Sequence, residues 1–180
     1  ALSAIAISVI SLVVAVEHGR TERKLVTAAT WPFAEVENER TGRDGQYVSE
    51  LILRNAGVGP ARLVSLVVRL DGKVVRSPAE LLTSCCGVPA GTTTETRPDY
   101  GVMAEGGVLG ILEAHQAQNI LWVGSKADAV RRGFEAAWPR LTYDACYCSV
   151  LNECWRSDLK STGTPVRVAL CRPSADDYQD

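Results

Sequence analysis

Cysteine is the residue type in this 180-residue chain whose number and spacing point most directly to chemistry. All six cysteines lie after residue 84, as an adjacent pair, a pair separated by one residue, and two single residues: Cys85, Cys86, Cys146, Cys148, Cys154 and Cys171. An even number of cysteines in one domain is typical of a disulfide framework in an oxidising compartment. We therefore expect all six to form disulfide bonds.

The spacing favours some pairings but does not fix the connectivity. Cys148 and Cys154 bracket a short segment, which fits a bridge at the end of a hairpin. Cys171 ends a strand that we expect to lie beside Cys146, so these two fit a cross-strand bridge. Cys85 or Cys86 would then tie a helix to this sheet. Each bridge would stabilise the fold by about 2–4 kcal/mol.

Two functional alternatives use the same cysteines. Zinc sites favour ligand pairs two to four residues apart that occur twice, and this chain has no C-x-x-C motif. Redox-active pairs also favour C-x-x-C at the start of a helix. We expect structural disulfides, with no metal and no cofactor, and a thiol-redox or metal-handling cluster stays open as the alternative.

Charge and histidine content limit the other functions. The chain has 19 Lys and Arg against 21 Asp and Glu, so it lacks the positive balance of a nucleic-acid-binding protein. Its two histidines are His18 and His115, and His115 near Glu113 is typical of a solvated loop histidine. Asp144 and Glu153 are too far apart in sequence to be called a carboxylate pair. We expect a protein that is not an enzyme and does not bind nucleic acid.

The first 16 residues carry no charge and contain three serines as their polar residues. A helix of this length spans about 24 Å, slightly less than a membrane crossing requires. We expect a transmembrane helix over residues 1–19, with part of the apolar segment missing, and a stalk over residues 20–30. A signal peptide and a buried core helix are the alternatives.

The orientation of this helix depends on two opposing signals. Arg20, Arg23 and Lys24 follow the apolar segment, and the positive-inside rule would place them in the cytoplasm. The cysteines favour an oxidising compartment instead. We expect a single-pass membrane protein whose folded domain is extracytoplasmic, in the periplasm.

The rest of the chain is typical of an antiparallel β-sandwich over residues 31–172. Alternating apolar residues predict strands, which we place at Gln46–Asn55, Ala61–Leu70, Lys73–Arg76, Gly107–Glu113, Gln118–Val123, Leu141–Val150 and Pro165–Cys171. Asp71-Gly72 predicts a hairpin turn.

Two short helices and three less regular segments complete this prediction. A capping box begins a helix at Ser77, and a second helix opens at Ser125 and is stopped by Pro139. We expect loops at Pro89–Gly101 and Ser157–Thr164. We expect residues 173–180 to form an acidic and loose tail. Trp155, next to Cys154, is expected to pack on a disulfide.

The segment "LILRNAGVGPARLVSLVVRLDGKVV" resembles bacterial immunoglobulin-like sandwich domains of the cell-adhesion-related type. The apolar N-terminal helix, Trp31-Pro32-Phe33, "NAGVGPAR" and "CYCSVLNECW" together resemble a group of uncharacterised bacterial single-pass membrane proteins. The resemblance implies a mainly β, immunoglobulin-like β-sandwich with two short helices behind one membrane anchor. It implies no catalytic residues.

These observations predict a protein that works by contact. We expect a membrane-anchored accessory or scaffolding subunit, whose partners are the lipid bilayer and other subunits of a membrane protein complex. Alanine and serine at positions 3, 4, 6, 8 and 11 would allow close approach of a partner helix.

Overall fold

The computed structural model describes residues 2–43, 46–90, 102–103, 108–124 and 128–179. Within them the chain is a mixed helical and antiparallel β protein with three α-helices and two sheets. The helices are α1 (Leu2–Ala29), α2 (Pro78–Cys86) and α3 (Asp128–Ala137). The strands are β1 (Ala34–Arg43), β2 (Gln46–Asn55), β3 (Ala61–Leu70), β4 (Lys73–Val75), β5 (Val102–Met103), β6 (Gly110–Leu112), β7 (Ala117–Gly124), β8 (Leu141–Cys148), β9 (Cys154–Ser157) and β10 (Val166–Val168).

Helix α1 runs without a break through the expected membrane segment and almost all of the expected stalk. Its large apolar side chains between residues 5 and 16 are exposed to solvent. In the described part of the chain, none of the helices combines the length and the apolar character needed to cross a membrane.

The first sheet has four strands in the order β1-β2-β7-β5. β1 and β2 form a long antiparallel hairpin in which Ala34 is opposite Asn55. β7 pairs with the other side of β2, so β2 lies inside the sheet. The central position explains why Leu51 and Leu53 of β2 are fully buried.

The second sheet contains β10-β9-β8-β3-β4, and β6 pairs with the first residues of β3. β3 and β8 form its centre, and they are antiparallel over most of their length. Asp71 and Gly72 have positive φ angles in the β3–β4 turn, which fits the predicted hairpin. β2 and β3 have the same bounds as the strands predicted from sequence.

One hydrophobic core joins the two sheets and the two shorter helices. It contains Leu53 of β2, Leu66 of β3, Leu82 of α2, Phe134 of α3 and Tyr147 of β8. Burial of large side chains from every layer is the main stabilising contribution to such a fold. The expected antiparallel β-rich architecture with two sheets is thus confirmed at this coarse level.

Helix α2 begins and ends as the sequence predicts. The Ser77 side chain accepts a hydrogen bond from the Glu80 backbone N–H, and Pro78 occupies the first turn. Gly87 follows the helix with a φ of 72°, the left-handed conformation that favours glycine. Residues 91–101 of the expected loop and residues 125–127 at the expected start of α3 lie outside the described residues.

Helix α3 is attached to the first sheet through Glu135. Its carboxylate accepts a hydrogen bond from Ser49 of β2 and forms ion pairs with Arg40 of β1 and Arg131 of α3. Partial burial works to raise the pKa of Glu135, but the Ser49 hydrogen bond and the two arginines outweigh it and lower the pKa below its usual value. The carboxylate therefore stays ionised at neutral pH.

The C-terminal segment packs on the second sheet, so the expectation of a loose tail is wrong. Asp177 accepts hydrogen bonds from the Ser65 hydroxyl and the Leu66 backbone N–H, and the Tyr178 backbone N–H donates to the Leu66 oxygen. The Tyr178 side chain is 1% exposed. The segment is held because it contributes a large aromatic residue to the core, despite its acidic composition.

Candidate functional site

Four of the six cysteines meet on the outer face of the second sheet. Cys146 and Cys148 are two residues apart on β8, so both point to the same face. Cys154 of β9 lies directly opposite Cys148 in the sheet register. Two bonds result, Cys148–Cys154 and Cys146–Cys171, which are the two pairings that the spacing favoured.

These bridges hold two surface segments at one end of the domain. Cys148–Cys154 closes the β8–β9 turn, which carries the exposed side chains of Val150 and Leu151. Cys146–Cys171 fixes the segment after β10, which carries the exposed Leu170. The bridged cysteines themselves form a small apolar cluster separate from the main core.

The remaining cysteines, Cys85 and Cys86, are bonded to each other at the end of α2. The expectation that one of them ties this helix to the sheet is therefore wrong. The pair packs against Gly133 of α3, where an added methyl group would lie 3.2 Å from the Cys86 α-carbon. Glycine at this position allows the two helices to approach each other closely.

The cysteine cluster offers one arrangement that could bind a metal ion after reduction. The sulfur atoms of Cys148, Cys154 and Cys171 lie within 4.8 Å of one another and are buried. In the bridged state these sulfurs are not thiolates, the form that coordinates zinc. Metal binding would thus require both disulfides to open.

Trp155 does not pack as the sequence suggested. It lies opposite Tyr147 in the register, and its ring stacks on the Tyr147 ring with a centroid distance of 6.2 Å. Both residues belong to the main core, on the face of the sheet opposite the disulfides. The alternation of side chains along β9 separates Trp155 from Cys154.

Two adjoining grooves of about 630 and 350 Å³ run along the outer face of the second sheet. Arg69, Asp144 and Arg156 line both of them. Asp144 accepts a hydrogen bond from the Arg156 Nε at 2.7 Å and a second one from the same guanidinium group. These hydrogen bonds lower the pKa of Asp144, so its carboxylate is ionised at neutral pH.

The two histidines lie away from the outer face of the second sheet, and Glu153 is held in an ion pair. His18 is 3.2 Å from Glu22 on α1, and His115 lies in the turn before β7 with a φ of 62°. Glu153 pairs with Arg167. Among the described residues, the structure does not join these groups into one site.

Asn55 organises the end of the domain where α1 enters, a role that was not predicted from the sequence. Its side-chain amide donates to the backbone oxygens of Gly59, Leu112 and Glu113. Its side-chain oxygen accepts hydrogen bonds from the backbone N–H groups of Phe33 and Gly57. The Asn-x-Gly pattern could have indicated this role, because an asparagine that begins a turn often bonds the backbone two residues later.

Glycines in the same loop allow it to pack against the chain that leaves α1. A methyl group on Gly57 would lie 2.3 Å from the Phe33 nitrogen, and one on Gly59 would lie 2.3 Å from the Thr30 oxygen. The loop therefore fixes the base of α1 to the start of the domain.

Comparison with known proteins gives no relative for this chain: no family model, curated protein or solved structure matches it.

Proposed function

We propose that this protein is a membrane-anchored, non-catalytic accessory or scaffolding subunit. The apolar end of α1 is embedded in the lipid bilayer, and the two-sheet domain docks on a larger membrane protein complex. In this proposal the domain has an immunoglobulin-like topology and lies in the periplasm, where its disulfides would be maintained.

The observation that carries the proposal is the exposure of large apolar side chains around the N-terminal half of α1. Between 46% and 65% of each of these residues is exposed: Ile5, Ile7, Val9, Ile10, Leu12, Val13, Val14 and Val16. At ~100° per residue they cover most of the helix circumference and do not form a single stripe. A helix that is apolar on most sides favours a lipid environment over water.

The part of the circumference without large residues supports docking on a partner helix. Ser8, Ser11 and Ala15 follow one another on this side of α1. Small residues allow two helix backbones to approach closely in a membrane, where dispersion contacts drive association. The helix thus has a broad surface for lipid and a narrower surface for protein.

The proposal is tested by purifying the protein from its native membrane in a mild detergent and measuring the mass of the particle that contains it. We expect a particle that contains other polypeptides besides this 19.4 kDa chain. Recovery of the chain only as a free monomer would contradict the proposal.

A thiol-redox or metal-handling domain is the second candidate, favoured by the close approach of the Cys148, Cys154 and Cys171 sulfurs. Intact mass with and without reductant separates the two functions. A gain of six hydrogens on reduction supports structural bridges. Free thiols in the native protein, together with one bound zinc ion, would support the second candidate.

A further inference from the structure

Exposed apolar side chains are concentrated at the end of the domain where α1 enters. After α1, eight large hydrophobic residues are exposed among those described. Backbone contacts and strand register place five of them at this end: Trp31, Val58, Ile111, Val150 and Leu151. Leu170 adjoins this end through the neighbouring Cys146–Cys171 bridge. The other two are Tyr47 and Val166. The uneven distribution indicates a surface with a function, because isolated exposed hydrophobic residues would be scattered.

Four of these residues surround the two disulfides, and we call them the disulfide patch: Ile111, Val150, Leu151 and Leu170. Arg62 of β3 pairs with Ile111 on one side and with Cys148 on the other, so Ile111 lies two strand spacings, about 10 Å, from the bridged turn. Arg62 also donates a hydrogen bond to Asn152 in that turn, at 2.9 Å.

The disulfides restrain the segments that carry three of the four patch residues. Cys148–Cys154 restrains the turn that carries Val150 and Leu151, and Cys146–Cys171 restrains the segment that carries Leu170. A surface that is already ordered loses less conformational entropy when it binds. The bridges thus order apolar side chains that the main core does not use.

The border of the patch is positively charged. Arg62 and Arg172 are exposed, and neither is within ion-pair distance of a carboxylate in the described part of the chain. Glu153 in the same turn is neutralised by Arg167. A partner surface with an apolar centre and carboxylates at its border would complement this arrangement.

The length of α1 places the patch beyond the lipid. From Val16, the last residue of the apolar segment, to Thr30 the chain rises about 21 Å if the helix is perpendicular to the membrane. The headgroup layer extends only about 5–8 Å from the hydrocarbon. The base of the domain therefore stands above the headgroups, at the height of the extramembrane parts of membrane proteins.

We infer that the disulfide patch is the surface through which the domain docks on the extramembrane part of its membrane protein partner, at an apolar area bordered by acidic residues. This inference rests on the proposed function and adds to it the docking face and the chemistry of the partner surface.

The test uses full-length protein recovered from native membranes in mild detergent. Leu151→Asp combined with Leu170→Asp places charges in the patch, at positions that are 46% and 63% exposed. Tyr47→Asp is the matched control, because Tyr47 is 67% exposed outside the patch. We expect the wild type and Tyr47→Asp to stay in the large particle and the double variant to be lost from it at least tenfold.

A second variant tests the charge. Arg62→Glu combined with Arg172→Glu should reduce the particle-bound fraction severalfold, and the reduction should become smaller as salt increases. Intact mass with and without reductant must show three bridges in each variant, so that misfolding is distinguished from lost docking.

The remaining outcomes separate the inference from the proposed function. A wild-type chain that is a free monomer contradicts both. A wild-type particle whose yield is the same for the patch variants contradicts the inference alone. A particle that contains only two copies of this chain, or a phospholipid adduct from a photocrosslinker at Leu151, would assign the patch to self-association or to lipid instead.

Discussion

Asn55 provides the sharpest test of the reasoning about the end of the domain. The residue is fully buried, and its two amide hydrogens serve three backbone oxygens while its oxygen accepts from two backbone N–H groups. Asn55→Ala removes all of these contacts at once. The five backbone groups then remain in a space that the smaller side chain cannot fill.

The magnitude follows from the number of hydrogen bonds. An intramolecular hydrogen bond contributes a net 0.5–1.5 kcal/mol or so, and four donor and acceptor sites of Asn55 are used. We therefore expect Asn55→Ala to lower the free energy of unfolding by roughly 3–5 kcal/mol, close to a 10 °C fall in Tm for a chain of this size.

The assay is thermal or urea unfolding of the full chain in detergent, followed by circular dichroism. Asn38→Ala is the matched control, because Asn38 is exposed on β1 and should change stability by about 0.5 kcal/mol or less. A loss below about 1 kcal/mol for Asn55→Ala would refute the view that this side chain holds the three segments together.

Three further predictions concern the disulfides, the Gly57 loop and the Glu135 network. Removing the Cys146–Cys171 bond, whose residues are 25 apart, should lower the free energy of unfolding by about 3.5 kcal/mol. Removing the Cys148–Cys154 bond, whose residues are 6 apart, should lower it by about 2 kcal/mol. Urea unfolding of the two double-serine variants measures both losses, and a larger loss for the Cys148–Cys154 variant would contradict the chain-entropy argument. Gly57→Ala should destabilise by about 2 kcal/mol or more, because the new methyl group meets the Phe33 backbone, whereas Gly42→Ala, which has open space, should be nearly neutral in the same assay. Glu135→Gln should destabilise the protein by about 1–3 kcal/mol at neutral pH. Since the folded-state pKa of Glu135 is lowered, its stabilisation is present above the ordinary value of 4.5 and is lost as the pH falls through the folded-state value. The variant should therefore lose less stability on acidification than the wild type. Equal slopes of unfolding free energy against pH for the two proteins would count against the network.

The strands at the centre of the sheets could be predicted because they are buried. β2 and β3 alternate β-branched and leucine residues between clear turn signals, and the structure gives them the predicted bounds. β1 was not predicted because its ten residues are largely polar. It is an edge strand, and it forms through its pairing with β2 and through the hydrogen bond from Val36 to the Leu159 oxygen.

In the candidate site, the sequence predicted only those disulfides whose cysteines are brought together by their spacing along strands and turns. The two bridges of β8 follow from side-chain alternation and from a short turn. The Cys85–Cys86 bond was not predicted, because one of these two cysteines was expected to bond to the sheet. The burial of Tyr178 was missed because seven polar or small residues surround it in sequence, and only the tertiary fold shows the space that it fills.

The disulfide patch itself could not be found from the sequence. Its residues come from β6, from the β8–β9 turn and from the segment after β10, and none of these short stretches has a distinctive pattern. The patch exists because the pairing of β6 and β8 on opposite sides of β3 brings them to one end.

The most direct test of the central claim is the behaviour of the full chain with native membranes washed at alkaline pH. We predict that the wild type and Leu25→Glu, a change at an exposed position in the charged half of α1, stay in the membrane pellet. A variant with Ile10→Glu and Val13→Glu should be released, because charges in the apolar segment are costly in lipid. Release of the wild type into the wash would contradict the claim that α1 anchors this protein in a bilayer.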